Sequence, residues 1–357
     1  MILYFSWPLI DEAILNSKFS EPYATIKEKI ESIYVALDES DVTEKITDVG
    51  NKLITAIDGE KPPTSDKEKQ DTITTNDDFS INGIALGMDK SLVEFSNGFP
   101  KTSFINEYGS KWFVYHQNYQ DFVMVSYDSN DLVNAIYTNQ PSVTSSYAIT
   151  ENTSMEDIRS ILPNKQKAII KQNVYLEIEE QFDLFDLDSY DITFFYDEKQ
   201  NNEISAIFLI DDQLEKQKET LYGVASEELQ IAYEQQMFEV INATRAKFNI
   251  PTLINNAPLA VTAFKHSEDM ATNDFFSHDN LKGESPFDRM EADQLRFTVA
   301  GENLASGQFN SIFAHEALMN SQGHRDNILH KDFEQIGIGV DFNESNVPYF
   351  TMKFFTP

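Results

Sequence analysis

The spacing of the hydrophobic positions changes several times along the chain, and each change marks a boundary. Met1–Ile10 is almost wholly apolar. From Glu21 to Ile57 the apolar residues fall at helical spacing: Ile26, Ile30, Ile33 and Leu37, then Val42, Ile46, Val49 and Leu53 after a break at Asp38–Asp41. So narrow a stripe suits a helical stalk or a helix pair laid on a partner, and an ordinary amphipathic hairpin equally well. Asp58–Asp71 has no large apolar side chain, so residues 58–77 read as an acidic, solvated linker.

Between 78 and 222 the runs become strand-like and rich in aromatic and β-branched residues. Strands are expected at Lys111–Tyr115, Phe122–Tyr127 and Leu132–Thr138, and again at Val174–Ile178, Ile192–Tyr196 and Ile204–Ile210. Each set follows a short helix, capped by Asp89 in the first and by Thr153 or Ser154 in the second. This parallel predicts one α+β domain of two similar halves. Its glycines Gly83 and Gly87 fit turns, Trp112 and His116 fit packing, and the expected role is binding or scaffolding.

From 227 to 357 helical spacing returns. Tyr233, Met237, Val240, Ile241 and Phe248 share one face of a long helix that Ile250-Pro251 stops. A second helix runs from Pro258 to Phe275, with His266 beside its apolar face, and His278 sits at its exit. Ser285-Pro286 starts a short helix, Gly301–Gly307 reads as a turn presenting Glu302, and Phe309–Asn320 is helical. His315, with no evident partner, and His330 read as surface or packing groups. Strands at Gln335–Phe342 and Pro348–Phe355 close the chain. Helices flanking a short sheet predict an α+β or α-β-α domain.

Composition narrows the function. The 357 residues carry a formal net charge of −32, which argues against nucleic acid or an anionic membrane surface as the main partner. There is no cysteine, which rules out disulfides, thiolate metal sites and thiol nucleophiles. Met1–Ile10 is too short to span a bilayer core of about 30 Å and lacks a basic flank. It reads either as a tail packed on the protein or as the outer end of a membrane anchor, the latter favoured by Tyr4 and Trp7 beside the apolar run.

Five of the six histidines lie between His266 and His330, so the chemistry is expected there. The candidates are His278, Glu302 and His324. They suit Zn²⁺ or another divalent metal, a metal-free acid/base pair, or a hydrogen-bond network that ties loops together. No serine nucleophile with a matching base is evident; Ser277 merely adjoins His278.

The blocks Asn242–Arg245, His266–His278, Ser285–Met290, Gly301–Ala305, Met319–Leu329 and Ile336–Val340, in that order, resemble the CAP superfamily (cysteine-rich secretory protein, antigen 5, pathogenesis-related 1) in its cysteine-free bacterial form. The region 78–222 resembles the CAP-associated N-terminal domain of some Firmicute surface proteins. The resemblance implies a C-terminal α-β-α sandwich whose cleft is lined by His278, Glu302 and His324, with Glu316 as the candidate for the second glutamate of eukaryotic members. Leu318 and Met352 depart from the Trp and Gln common in bacterial relatives. An extracellular or surface-anchored module is implied, with a lipid, a peptide or a wall component as ligand. A metal-dependent hydrolase is the alternative.

Overall fold

The computed structural model describes residues 76–171, 174–178 and 181–357. The N-terminal apolar run, the stalk and all of the linker but its last two residues lie outside the described residues. Among the described residues, no helix is long and apolar enough to cross a membrane.

The first domain opens with β1 (Asn76–Ile81), β2 (Ile84–Leu86) and helix α1 (Lys90–Asn97), capped by Asp89, whose carboxylate accepts from Ser91 N at 2.8 Å. There follow β3 (Thr102–Ile105), β4 (Lys111–Gln117), β5 (Gln120–Tyr127), β6 (Val133–Thr138) and β7 (Val143–Ser145). Helix α2 (Met155–Ile161), capped by Ser154, leads to β8 (Ala168–Lys171), β9 (Val174–Glu177), β10 (Phe182–Asp186), β11 (Tyr190–Asp197), β12 (Glu203–Asp211) and helix α3 (Asp212–Gln217).

Seven of these strands form one sheet, in the order β10-β11-β12-β6-β5-β4-β3, with β6 and β12 antiparallel where the two runs of strands meet. The expected strand at Val174–Ile178 does not join it. That segment pairs with β8 in a separate hairpin, and every residue of β9 is exposed. Its place at the sheet edge is taken by β10, whose alternation of half-buried and buried residues ends in Asp186.

Both faces of the sheet are buried, which is why its strands read as nearly continuous apolar runs. Trp112, Val114, Phe122, Met124, Ala206 and Phe208 pack toward the C-terminal domain. Tyr115, Val123, Val125, Ile207 and Leu209, one residue out of phase, pack on Val93 of α1 and Ile158 of α2. The first face shares a continuous core with Met237, Val240, Phe350 and Phe354, so the two domains are joined through apolar contact.

The C-terminal domain comprises α4 (Glu227–Lys247), β13 (Ile254–Asn255), α5 (Ala257–Asn273), α6 (Pro286–Ala292), β14 (Val299–Ser306), α7 (Ser311–Asn320), α8 (Gln322–Ile328), β15 (Gln335–Phe342) and β16 (Pro348–Thr356). Its sheet runs β13-β15-β16-β14. Helix α5 lies directly on β15. A Cβ at Gly337 would fall 2.3 Å from the backbone of Leu259 and Ala260, and one at Gly339 2.0 Å from Phe264 N. The alternating glycines thus let a helix pack at backbone distance. Arg245 is fully buried and donates to the carbonyls of Pro251, Ile328, His330 and Phe333, which pins two segments, the one after α4 and the one between α8 and β15, to α4.

Two expectations change here. Gly301–Gly307 is largely strand rather than turn, with Glu302 directly opposite Lys353 of β16. Nothing in the local sequence favours a strand; the pairing with β16 imposes it. Helix α5 also stops earlier than expected, at Asn273, because Asp274 takes a left-handed conformation (φ 52°). This frees Phe275–His278 to form a loop.

Candidate functional site

Three elements converge on Glu302. Strand β14 carries it, the loop after α5 brings His278, α6 brings Arg289 and β16 brings Lys353. The carboxylate is buried and saturated. His278 Nδ1 lies 2.9 Å from Oε1, and Arg289 of α6 donates to both oxygens at 3.2 and 2.9 Å. Lys353 Nζ lies 2.6 Å from Oε2 and is itself fully buried. Burial pushes the carboxyl up, but His278, Lys353 and Arg289 together outweigh it and hold Glu302 at about 2. Arg289 also donates to the carbonyls of His278 and Glu284 at 2.8 Å each. One guanidinium therefore fixes both the carboxylate and the loop that carries His278. That loop leaves the His278 side chain about half exposed.

His324 stands in the first turn of α8. Its Nδ1 lies 2.8 Å from Ser321 Oγ, and its carbonyl accepts from Asn303, the residue after Glu302. Asn327 bridges back to the Glu302 carbonyl and to Asn303. Burial, and then the neighbouring His278, keep the His324 imidazole below its usual value. So His278, Glu302 and His324 are brought into one neighbourhood.

Glu316 is not part of it. Its carboxylate is buried against the first domain, accepting from Tyr137 at 2.9 Å and Ser205 at 2.8 Å. Helical spacing could not tell the cleft face of α7 from the face that a second domain covers. His315 beside it is a buried packing group rather than a surface one, 2.7 Å from Thr244. His266 is buried with Nε2 2.9 Å from the Ser277 carbonyl, in keeping with a packing histidine, and the His330 ring lies against Phe333.

The donor set does not match a three-ligand metal site. Both oxygens of Glu302 already accept from cations, and His278 Nδ1 is committed to one of them. Among the described residues, the three acidic or histidine ligand atoms that do lie within 4.8 Å of one another belong to Asp186, Asp191 and Asp212 in the first domain. Lys353 and Arg289 were the residues that sequence reasoning missed. The available signal was a lysine, the one charged residue in a largely apolar final strand, which calls for a counter-charge if it is buried.

Comparison with known proteins fits this architecture. Residues 238–354 match the sequence model of the cysteine-rich secretory protein family, and residues 86–221 match that of the CAP-associated N-terminal domain. The chain carries a CAP domain behind a CAP-associated N-terminal domain. It is 37% identical over 126 residues to the membrane protein YlbC of Bacillus subtilis, covering 35% of each chain. It is 39% identical over 108 residues to YkwD of the same organism, covering 30% of this chain and 42% of that one. The match thus spans less than half of either curated relative.

In fold, the chain resembles an extracellular SCP-domain protein of Bacillus anthracis (TM-score 0.63, 22% identity), covering 83% of this chain and 100% of the other. It also resembles a cysteine-rich secretory protein of Staphylococcus aureus (TM-score 0.59, 15% identity), covering 76% and 94%.

Proposed function

We propose that the chain is a secreted or surface-anchored binding module that engages its ligand, without catalysis, at the His278 and His324 face of the CAP domain. The carrying observation is the state of Glu302. A general base needs a carboxylate poised near the working pH with a free oxygen, and a metal ligand needs an uncommitted lone pair. Glu302 is held at about 2 with cations on both oxygens, so it serves to position His278 rather than to react. The exposed imidazole of His278 and the partly buried one of His324 are left as the groups a ligand meets. The extracellular B. anthracis protein and the membrane protein of B. subtilis support a place outside the cytoplasm.

The test is a binding screen of the full chain against lipids, peptides and wall fragments, repeated with His278→Ala. A saturable hit that His278→Ala abolishes, without loss of folding, is expected. Isothermal titration with Zn²⁺ should give equal heats for both proteins. Chelator-sensitive turnover of a peptide or peptidoglycan substrate that needs His278 would overturn the reading in favour of a hydrolase.

A further inference from the structure

The first domain holds a cavity of about 660 Å³. Its volume lies within the range of small-molecule sites, roughly 300–1,000 Å³. Four aspartates line it: Asp78 on β1, Asp128 after β5, Asp188 in the β10–β11 turn and Asp211 at the end of β12. No lysine, arginine or histidine shares the lining. The acids are within reach of a solute, since Asp188 is exposed and the other three are half-buried.

None of them is neutralised by a neighbour. Asp78 accepts from Ser146 Oγ at 3.0 Å and from the Tyr190 hydroxyl at 3.4 Å. Asp128 accepts from the backbone of Asn130 and Leu132 at 2.8 and 2.9 Å, and Asp211 from Gln213 N at 2.7 Å. All these donors are uncharged. Among the described residues, none of the four aspartates forms an ion pair.

The acids are also spread out. Tyr190 of β11 pairs with Asp211 of β12, Ile210 with Ala135 of β6, and Ala135 with Ser126 of β5. Neighbouring strands lie about 4.8 Å apart, so the Asp188 turn, Asp211 and Asp128 extend over roughly 14 Å at this end of the sheet. One small ion cannot meet them all. Among the described residues, the group with three ligand atoms within 4.8 Å of one another is Asp186, Asp191 and Asp212, and none of these lines the cavity. An extended cation with several charges meets spread acids one after another.

The rest of the wall favours an organic cation. Tyr147 lines the cavity with its ring stacked on Phe79, 5.6 Å between centroids. Burial, then Asp78, then Asp188 push its phenol up, so both carboxylates act on this side chain. An aromatic face beside carboxylates attracts an ammonium group through the ring quadrupole. Leu86, Leu132, Pro163 and Leu187 offer apolar contact to the methylenes between charges.

We propose that this cavity binds an extended polyammonium chain, whose charges meet Asp78, Asp188, Asp211 and Asp128 and of which one ammonium lies against Tyr147. The net charge of −32 draws any cation to the protein, so a matched control is needed. Isothermal titration of the full chain at physiological salt, with spermine for a free polyamine and tetralysine for a peptide source, should give saturable binding of at least one. The tighter of the two names the source. Asp188→Asn breaks no hydrogen bond, suits the left-handed backbone there (φ 61°), and should weaken that binding about fivefold. Adding Asp78→Asn should take the loss beyond about tenfold. Glu291→Gln with Glu344→Gln removes two exposed charges from the C-terminal domain and should leave binding unchanged. No saturable binding of either probe overturns the proposal. So does an equal loss in the control variant, which means diffuse attraction, or displacement of the probe by Mg²⁺ at equal concentration, which means a small-ion site.

Discussion

Glu302 and Glu316 are two buried glutamates of the same domain in opposite electrostatic states. Burial raises both. At Glu302 the hydrogen bond from His278 and the charges of Lys353 and Arg289 reverse the effect and hold the carboxyl at about 2. At Glu316 the direct partners are the hydroxyls of Ser205 and Tyr137, Lys247 acts only from a distance, and the carboxyl stays raised. The contrast teaches that burial sets the cost of a charge, while the partners decide whether the charge survives. It also separates two roles. Glu302 anchors the loop of a candidate binding face, whereas Glu316 closes the junction between two domains.

The largest effect should come from breaking the Glu302 cluster. Lys353→Met leaves a buried carboxylate short of its closest cation and should cost about 3–5 kcal/mol in urea denaturation at pH 7. A loss below about 1 kcal/mol would show that Arg289 and His278 suffice. Next is the ion pair nearest His324. Arg325 donates to Asp197 of the first domain at 3.1 and 2.8 Å, with both side chains largely buried. Asp197→Asn should cost about 2–3 kcal/mol and raise amide exchange selectively across 321–329, because the first domain holds the segment that carries His324. Uniform exchange across the chain would refute that link.

The pH profile sharpens the contrast further. Glu239, buried near His116 of the first domain, is pushed up to about 7, and Glu316 is raised as well. A raised carboxyl binds its proton more tightly in the folded state. The stability it contributes is therefore full below about 4.5 and is lost as pH rises through the folded value. Glu302 has the reverse sign: its contribution is present above about 4.5 and is lost as pH falls toward 2. Unfolding free energy measured from pH 2 to 8 should rise over the acidic limb and decline toward pH 8, and Glu239→Gln should flatten the decline. Glu316→Gln should be nearly neutral at pH 5, within about 1 kcal/mol, and should gain relative to the native chain at pH 8. A loss that grows with pH would mean that Glu316 is ionised in the fold. The smallest stability effect belongs to His278→Ala, below about 1 kcal/mol since the ring is half exposed, even though ligand binding should vanish.

Much of the fold was legible in the chain. The strands at Lys111–Gln117, Gln120–Tyr127 and Glu203–Asp211 announce themselves by aromatic and β-branched runs, and Ser285-Pro286 marks the start of α6 through a capping box. What misled was context. Val174–Glu177 has strand composition but lies in an exposed hairpin, and Val299–Ser306 lacks it yet becomes a strand because β16 pairs with it. For the site, the blocks that resemble the CAP superfamily pointed to His278, Glu302 and His324. Arg289 lay within a quoted block without an assigned role, and Lys353 lay outside them all.

The sequence by itself determined most of the helices and strands, β14 excepted, and where the histidines gather, because these follow from local periodicity and composition. The tertiary structure alone decided that α7 turns Glu316 toward another domain, that Lys353 stands opposite Glu302, and that both faces of the seven-stranded sheet are covered. Each of these depends on residues far apart in the chain meeting across a strand pair or a domain junction. The charge state of a buried carboxylate is set by that meeting and leaves no mark on its neighbours in sequence.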